Sequence, residues 1–228
     1  TCLLYVKKSE NDNVVSLYDN DSKRYISYPY CIGEPIPVFG ASILIKVRQD
    51  NKCPKLTVFK TNMPSKNSTI SKESTKTHSH LNIRTSLIVN KKDVKLVIDH
   101  SSDALVFAGC KKLVLPHKMY GFPYLDLDGK YGISNRDSYV ILSDSSDYLI
   151  RLASFFKTNT ALYLFECTRY RMKYLEKYIF QIIPDITLLT DFPREINDAT
   201  IADYFGFTNE ERQSIASLHS TNYSFKYL

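Results

Sequence analysis

Residues 138–156 read SYVILSDSSDYLIRLASFF, and the fold turns on the change of rhythm inside them. Tyr139 to Leu142 is a short apolar run of aromatic and β-branched type, which predicts a strand. From Asp147 onward the apolar residues fall instead at Leu149, Leu152, Ala153 and Phe156, the spacing of one face of an α-helix. A strand handing over to an amphipathic helix at this point divides the chain into a β-rich N-terminal part and a helical C-terminal part.

Toward the N-terminus the pattern stays strand-like. Val14 to Tyr18, Ile43 to Val47, Leu56 to Phe59, Thr85 to Val89, Lys95 to Ile98 and Lys112 to Leu115 are β-branched or aromatic runs broken by Asn, Asp, Gly and Pro. Between Asn62 and His80 the composition turns to Ser, Thr, Lys and Asn with little to bury, which predicts a mobile basic loop. Toward the C-terminus, Ala161, Leu164, Phe165, Thr168, Met172, Leu175 and Ile179 predict a second helix, ended by Pro184 and packed with the first on the sheet. Thr208 and Glu211 have the spacing of a capping box opening a last short helix. The expected fold class is therefore mixed α/β of the α+β kind: a β-rich part with a sheet, two packed amphipathic helices and a short helical tail.

The chain of 228 residues is 43% hydrophobic and 13% aromatic, enough to bury a real core, and its net charge of +6 leans toward a polyanionic partner. No apolar run approaches the ~18 residues that span a bilayer, and no secretory signal opens the sequence, so a cytoplasmic protein with no membrane partner is expected. Cys2, Cys31, Cys53, Cys110 and Cys167 are scattered without a C-x-x-C pair, as expected of reduced, small buried residues.

Several chemistries are missing. The seven glycines form no G-x-G arrangement, and no polar-Pro-Pro-aromatic motif is present, so neither a nucleotide cradle nor the usual amine-methylating motif can be read here. Pro184-Asp185 followed by Glu195 resembles the acidic metal motif of restriction nucleases, but Asn197 stands where that motif needs lysine. Asp126-Leu127-Asp128-Gly129 reads as a tight polar turn, because Lys130 and Tyr131 occupy positions that a calcium loop reserves for a ligand and a glycine. His78 and His80 read as a solvated pair. No catalytic residue and no metal ligand is assigned.

The connection from Lys111 to Tyr139 is the most informative segment. It alternates cations (Lys111, Lys112, Lys118, Lys130, Arg136) with rings (Tyr120, Phe122, Tyr124, Tyr131) and turn residues (Gly121, Pro123, Gly129, Gly132). Lysine and arginine neutralise phosphates, Asn135 and Arg136 have the fork geometry for base edges, and rings can wedge beside a distorted duplex. A sheet edge with a solvated turn would have the same composition. In the second predicted helix Arg169, Lys173 and Lys177 fall at four-residue intervals, with Arg171 on a neighbouring side; this is a phosphate rail or an ordinary solvated face.

The order of these pieces resembles a known family. Lys118-Met119-Tyr120-Gly121-Phe122-Pro123, continued by Tyr131-Gly132-Ile133-Ser134-Asn135-Arg136-Asp137-Ser138-Tyr139, is similar to the specificity domain of gamma-type adenine methyltransferases, including Taq-like enzymes and those fused to restriction nucleases. There, too, a lysine-rich and aromatic-rich strand-turn-strand unit precedes two helices. Ile182-Ile183-Pro184-Asp185-Ile186 looks like that family's helix exit, and Ile201 to Thr208 with Glu210 and Glu211 resembles its short acidic closing helix. Thr1 to Lys8 looks like the end of a catalytic core, and Ile36-Pro37-Val38-Phe39 like the entry to the specificity domain.

The resemblance implies three regions: 1–35 as the end of the methyltransferase core and a linker, 36–190 as a DNA target-recognition domain, and 191–228 as a C-terminal helical tail. It implies sequence-specific recognition of double-stranded DNA for an N6-adenine methyltransferase of restriction-modification type. The catalytic domain would be supplied in cis or as a separate subunit, and S-adenosylmethionine would bind there while this chain holds no cofactor. The expected phosphate contacts are Lys118, Lys130, Arg169, Arg171 and Lys173, and the expected base or shape readers are Tyr120, Asn135 and Arg136. The alternatives are a diverged nuclease using Asp185 and Glu195, or a protein-interaction module with an incidental basic surface.

Overall fold

A computed structural model describes residues 13–48, 54–90, 93–117, 122–169 and 174–220. The described residues open with an antiparallel hairpin, β1 (Val14–Asp19) and β2 (Arg24–Pro29), followed by helix α1 (Ala41–Arg48). Eight further strands follow among the described residues: β3 (Phe59–Lys60), β4 (Ile70–Ser71), β5 (His80–Asn90), β6 (Asp93–Ser101), β7 (Lys112–Pro116), β8 (Tyr124–Asp126), β9 (Gly132–Ile133) and β10 (Ser138–Leu142). Then come α2 (Ser146–Phe156), α3 (Asn159–Cys167), a 3-10 turn at Lys177–Gln181, α4 (Asp198–Tyr204) and α5 (Asn209–Ser220). The fold is mixed α+β, as expected. No helix among the described residues is long and apolar enough to cross a membrane.

Two four-stranded sheets form the centre, ordered β3-β10-β7-β8 and β4-β6-β5-β9. All five residues of β7 are buried, because the first sheet is covered on both sides. Leu113, Leu115, Tyr139 and Ile141 face a large core built with α1, α2, α3 and the C-terminal helices, continuous from Tyr28 to Ile215. Val114 and Val140, at the alternate positions of the same strands, face Ile83 and Ile133 of the second sheet. The order is helices, sheet, sheet.

The handover at 138–156 stands as predicted. Ser145 caps α2 by accepting from the Tyr148 backbone, and Leu149, Leu152, Ala153 and Phe156 are its buried face. The capping box at the last helix is present as well: the Thr208 backbone N–H donates to Glu211, and the Glu211 N–H donates to the Thr208 hydroxyl.

Four expectations are corrected. Ile43 to Val47 is helical, not a strand. Its β-branched residues alternate and so mimic period two, but Ile43, Leu44 and Val47 form one buried helical face. Asp19 accepts the Ala41 backbone N–H at 2.7 Å and so caps this helix from 22 residues away, beyond any local window. Gly40, at φ +67°, makes the turn into the helix against the Tyr163 ring, where a Cβ would collide.

The stretch 62–80 is ordered along a sheet edge. β4 pairs with the end of β6, Ser102 N–H donates to the Thr69 carbonyl, and His78 exchanges hydrogen bonds with Thr69, Thr75 and Thr77. Its polar side chains satisfy the backbone where burial cannot. The second predicted helix, Ala161 to Ile179, ends at Cys167, where Thr168 caps it with φ −112° and ψ 10°. The apolar residues Leu175 and Ile179 that continued its pattern are buried from a separate 174–183 segment. Pro184 therefore terminates no α-helix; it bridges to Lys55, while the Asp185 N–H donates to Pro54. Cys31 and Cys110 are exposed, and Cys167 is buried.

Candidate functional site

The ends of three connections meet beyond β7 and β10. His117 N–H donates to the Asp137 carbonyl at 2.8 Å, just as the antiparallel pairing of Pro116 with Ser138 runs out. Leu175 N–H donates to the His117 carbonyl at 2.7 Å, and the His117 and Tyr174 rings stack with centroids 4.8 Å apart. Tyr139 locks the arrangement from beneath: its hydroxyl donates to the Leu175 carbonyl at 3.0 Å, and its ring meets His117 edge-on. Thr61 closes the other flank, exchanging hydrogen bonds with the Ser138 backbone. The connection that carries Asn135 and Arg136 thus ends beside His117 and, through it, beside Tyr174 and Leu175.

Arg136 is exposed and Asn135 half-buried, and neither side chain has a hydrogen bond or ion pair to any described residue. Unengaged forks at the rim of a rigid sheet are available to a ligand. The strand before them is fixed by a polar network. Gly132 and Ile133 of β9 pair in parallel with Asn82 and Ile83 of β5, and Ser134 donates its hydroxyl to buried Asp99 at 2.9 Å. The opposite oxygen of Asp99 lies 3.5 Å from the Arg84 guanidinium.

Lys130 is exposed but stands elsewhere. It sits on the turn after β8, which runs back along β7 from Val114 to Lys112, so it lies beyond the end of β7 opposite Arg136. At ~3.3 Å per residue β7 itself spans about 13 Å, and the two lie beyond its opposite ends. The turn is a tight polar one, as the sequence predicts: Asp126 accepts from the Lys130 and Tyr131 backbone, and Gly129 adopts φ +65°. Lys130 lies over the Tyr131 ring at 5.4 Å, and Tyr131 meets Tyr124 edge-on. Burial and the Tyr131 neighbour push the Tyr124 hydroxyl up to about 12, so that phenol stays neutral.

Lys112, counted among the cations of the connection, and Arg169, expected to contact phosphate, are both turned inward. Lys112 is fully buried, its ammonium donating to Asp126 at 2.6 Å and to the Phe107 and Cys110 carbonyls. All three donors are used, and the pair clamps the 126–131 turn onto the 107–110 loop. Arg169, expected on a helical phosphate rail, follows the end of α3 instead and pairs with Glu166 at 2.5 Å with a side chain only 9% exposed. The rail is thereby corrected, since Lys177 begins a 3-10 turn and shares no helix with Arg169. Burial pushes Glu166 up to about 7 despite the opposing pull of Arg169. Phe122, counted among the available rings, is also buried. Lys118, Tyr120, Arg171 and Lys173 lie outside the described residues.

The residues of the nuclease alternative have separate hydrogen-bond partners. Asp185 is buried and accepts from the Thr187 N–H, the Thr187 hydroxyl and the Tyr148 hydroxyl, while Glu195 accepts from Asn197. Among the described residues no group of three or more His, Cys, Asp or Glu is placed to hold a metal ion. No protein-family model, curated protein or solved structure matches the chain.

The sequence reading missed Arg84, Asp99 and Ser134 as members of one site. Their only local signature is polar residues within or beside apolar strands. The pairing of β5 with β9, across some fifty residues, is what joins them.

Proposed function

We propose that this chain recognises double-stranded DNA in a sequence-specific way, as the target-recognition part of an N6-adenine methyltransferase of restriction-modification type. The observation that carries this reading is the junction at His117 and Tyr174. It joins the end of the connection bearing Asn135 and Arg136, the stretch selected from the sequence for its cations and rings, to the aromatic segment at Tyr174 and Leu175. The network under Ser134 and the clamp at Lys112 make that surface rigid, which is what directional contact to base edges requires.

On this reading Arg136 and Asn135 reach base edges, and Lys130 contacts the backbone from beyond the other end of β7. Methyl transfer belongs to a catalytic domain in cis or on a separate subunit. S-adenosylmethionine binds there, and the target adenine is extruded into that pocket.

The test is an anisotropy titration of this chain against a randomised duplex pool and a single-stranded control at two salt concentrations, followed by sequencing of the bound fraction. An enriched short duplex motif containing adenine is expected, with Arg136→Gln relaxing one position of it. Weak binding that salt erases and that favours no sequence would replace this reading with the interaction module.

A further inference from the structure

We propose that Arg84 is a third base reader at the same rim as Asn135 and Arg136, with buried Asp99 as its positioning residue. The inference deepens the DNA-recognition reading and rests on it. In the β5–β6 pair Ile83 lies opposite Ile98 and Thr85 opposite Val97, so Arg84 is an extra residue with no partner across the ladder. A bulge of this kind bends the strand and re-aims one side chain, and such bulges collect beside functional sites.

What Arg84 is aimed at follows from its neighbours. β5 and β9 run parallel with Ile83 beside Ile133, and Ser134 N–H donates to the Ile83 carbonyl at 3.1 Å, so Arg84 comes level with the turn into Asn135 and Arg136. One carboxylate joins the two chains: Asp99 accepts the Ser134 hydroxyl at 2.9 Å through one oxygen and faces the Arg84 guanidinium at 3.5 Å through the other. Asp99 is 7% exposed and Arg84 39%, so the anchor is inside and the fork reaches solvent. A 3.5 Å contact through one Nη leaves the rest of the fork unspent.

Orientation is the point of such a tether. A phosphate accepts a cation from many directions, whereas the O6 and N7 atoms of guanine need two parallel N–H groups at a fixed angle. An arginine paired with a buried carboxylate beside the bulge is biased toward the second task.

The experiment sequences duplexes bound from a randomised pool by the wild-type chain and by Arg84→Gln, Arg84→Lys and Asp99→Asn, with thermal melts to show that each is folded. Arg84→Gln is expected to lose preference at one position of the wild-type motif and to bind the wild-type duplex at least about tenfold more weakly, with random duplex much less affected. Arg84→Lys keeps the charge and does not restore that position. Asp99→Asn weakens the same position, and adds nothing to Arg84→Gln in the double variant. An unchanged motif in Arg84→Gln overturns the proposal, as does equal loss on every duplex with a shallower salt dependence, which marks a phosphate contact. Were Asp99→Asn unfolded, the two Arg84 variants would still decide. A wild-type chain that selects no motif would instead overturn the DNA-recognition reading itself.

Discussion

On one face of the central sheet Tyr139 and Ile141 sink into a core rich in rings, where Phe156 stacks on Phe165 and both meet Phe180. On the other face Val140 and Val114 meet Ile83 and Ile133, and the layer beyond holds buried Asn82, Asp99, Ser101 and Ser134. The first face derives its stability from apolar area, which is large and tolerant of small shifts. The second combines a small apolar cluster with hydrogen bonds in the layer beyond, which contribute less but fix direction. The strand that leads into Asn135 and Arg136 is built on the second kind of support.

The sharpest way to break this contrast is to cut each face in turn. Phe156→Ala, on the helical side, is expected to cost about 3 to 5 kcal/mol in urea unfolding. Equal loss from a one-methylene cut on the opposite face would abolish the contrast. The buried ion pair at the edge of the sheet gives a comparable effect by a different cause. Asp126→Ala strands the Lys112 ammonium and is expected to cost about 3 to 5 kcal/mol, whereas the double change Lys112→Met with Asp126→Leu restores most of it. A double variant as weak as the single would show that the 126–131 turn depends on Asp126 itself.

Glu166 supplies the next effect, and pH reads it. In the folded chain it holds its proton up to about 7, against an ordinary value near 4.5, so the folded state carries the extra proton between these limits. Stability from this residue is complete below about 4.5 and is lost as pH rises through about 7, on the order of 3 kcal/mol. Urea melts at pH 5 and pH 7.5 are expected to show a decline in the wild type that is reduced in Glu166→Gln; equal slopes would place the titration elsewhere. The smallest effect lies on the polar-backed face, where Ile83→Val is expected to cost about 0.5 to 1.5 kcal/mol while leaving the rest of β5 protected in hydrogen exchange.

Local rhythm was enough to reveal β1, β7, β10, α2 and the Thr208 capping box, because each has neighbours within a few residues that dictate its conformation. The turn at Asp126 was legible for the same reason. It was not legible that α1 is helical, because its N-terminal N–H group is satisfied by Asp19 on a distant hairpin. Nor was the end of α3 legible, since Leu175 and Ile179 continue the apolar spacing after the helix has stopped. At the candidate site, composition singled out Asn135 and Arg136, which are unengaged, but it also selected Lys112 and Arg169, which are spent on Asp126 and Glu166.

By itself, then, the sequence determined the succession of strands and helices and the segment where cations and rings concentrate, because periodicity, capping and composition are properties of near neighbours. Only the tertiary structure decided which of those cations face outward, and that Arg84, Asp99 and Ser134 form one network beneath Asn135 and Arg136. Whether a charge is buried with a partner or free for a ligand depends on which strands pair, and strand pairing joins residues that lie far apart along the chain.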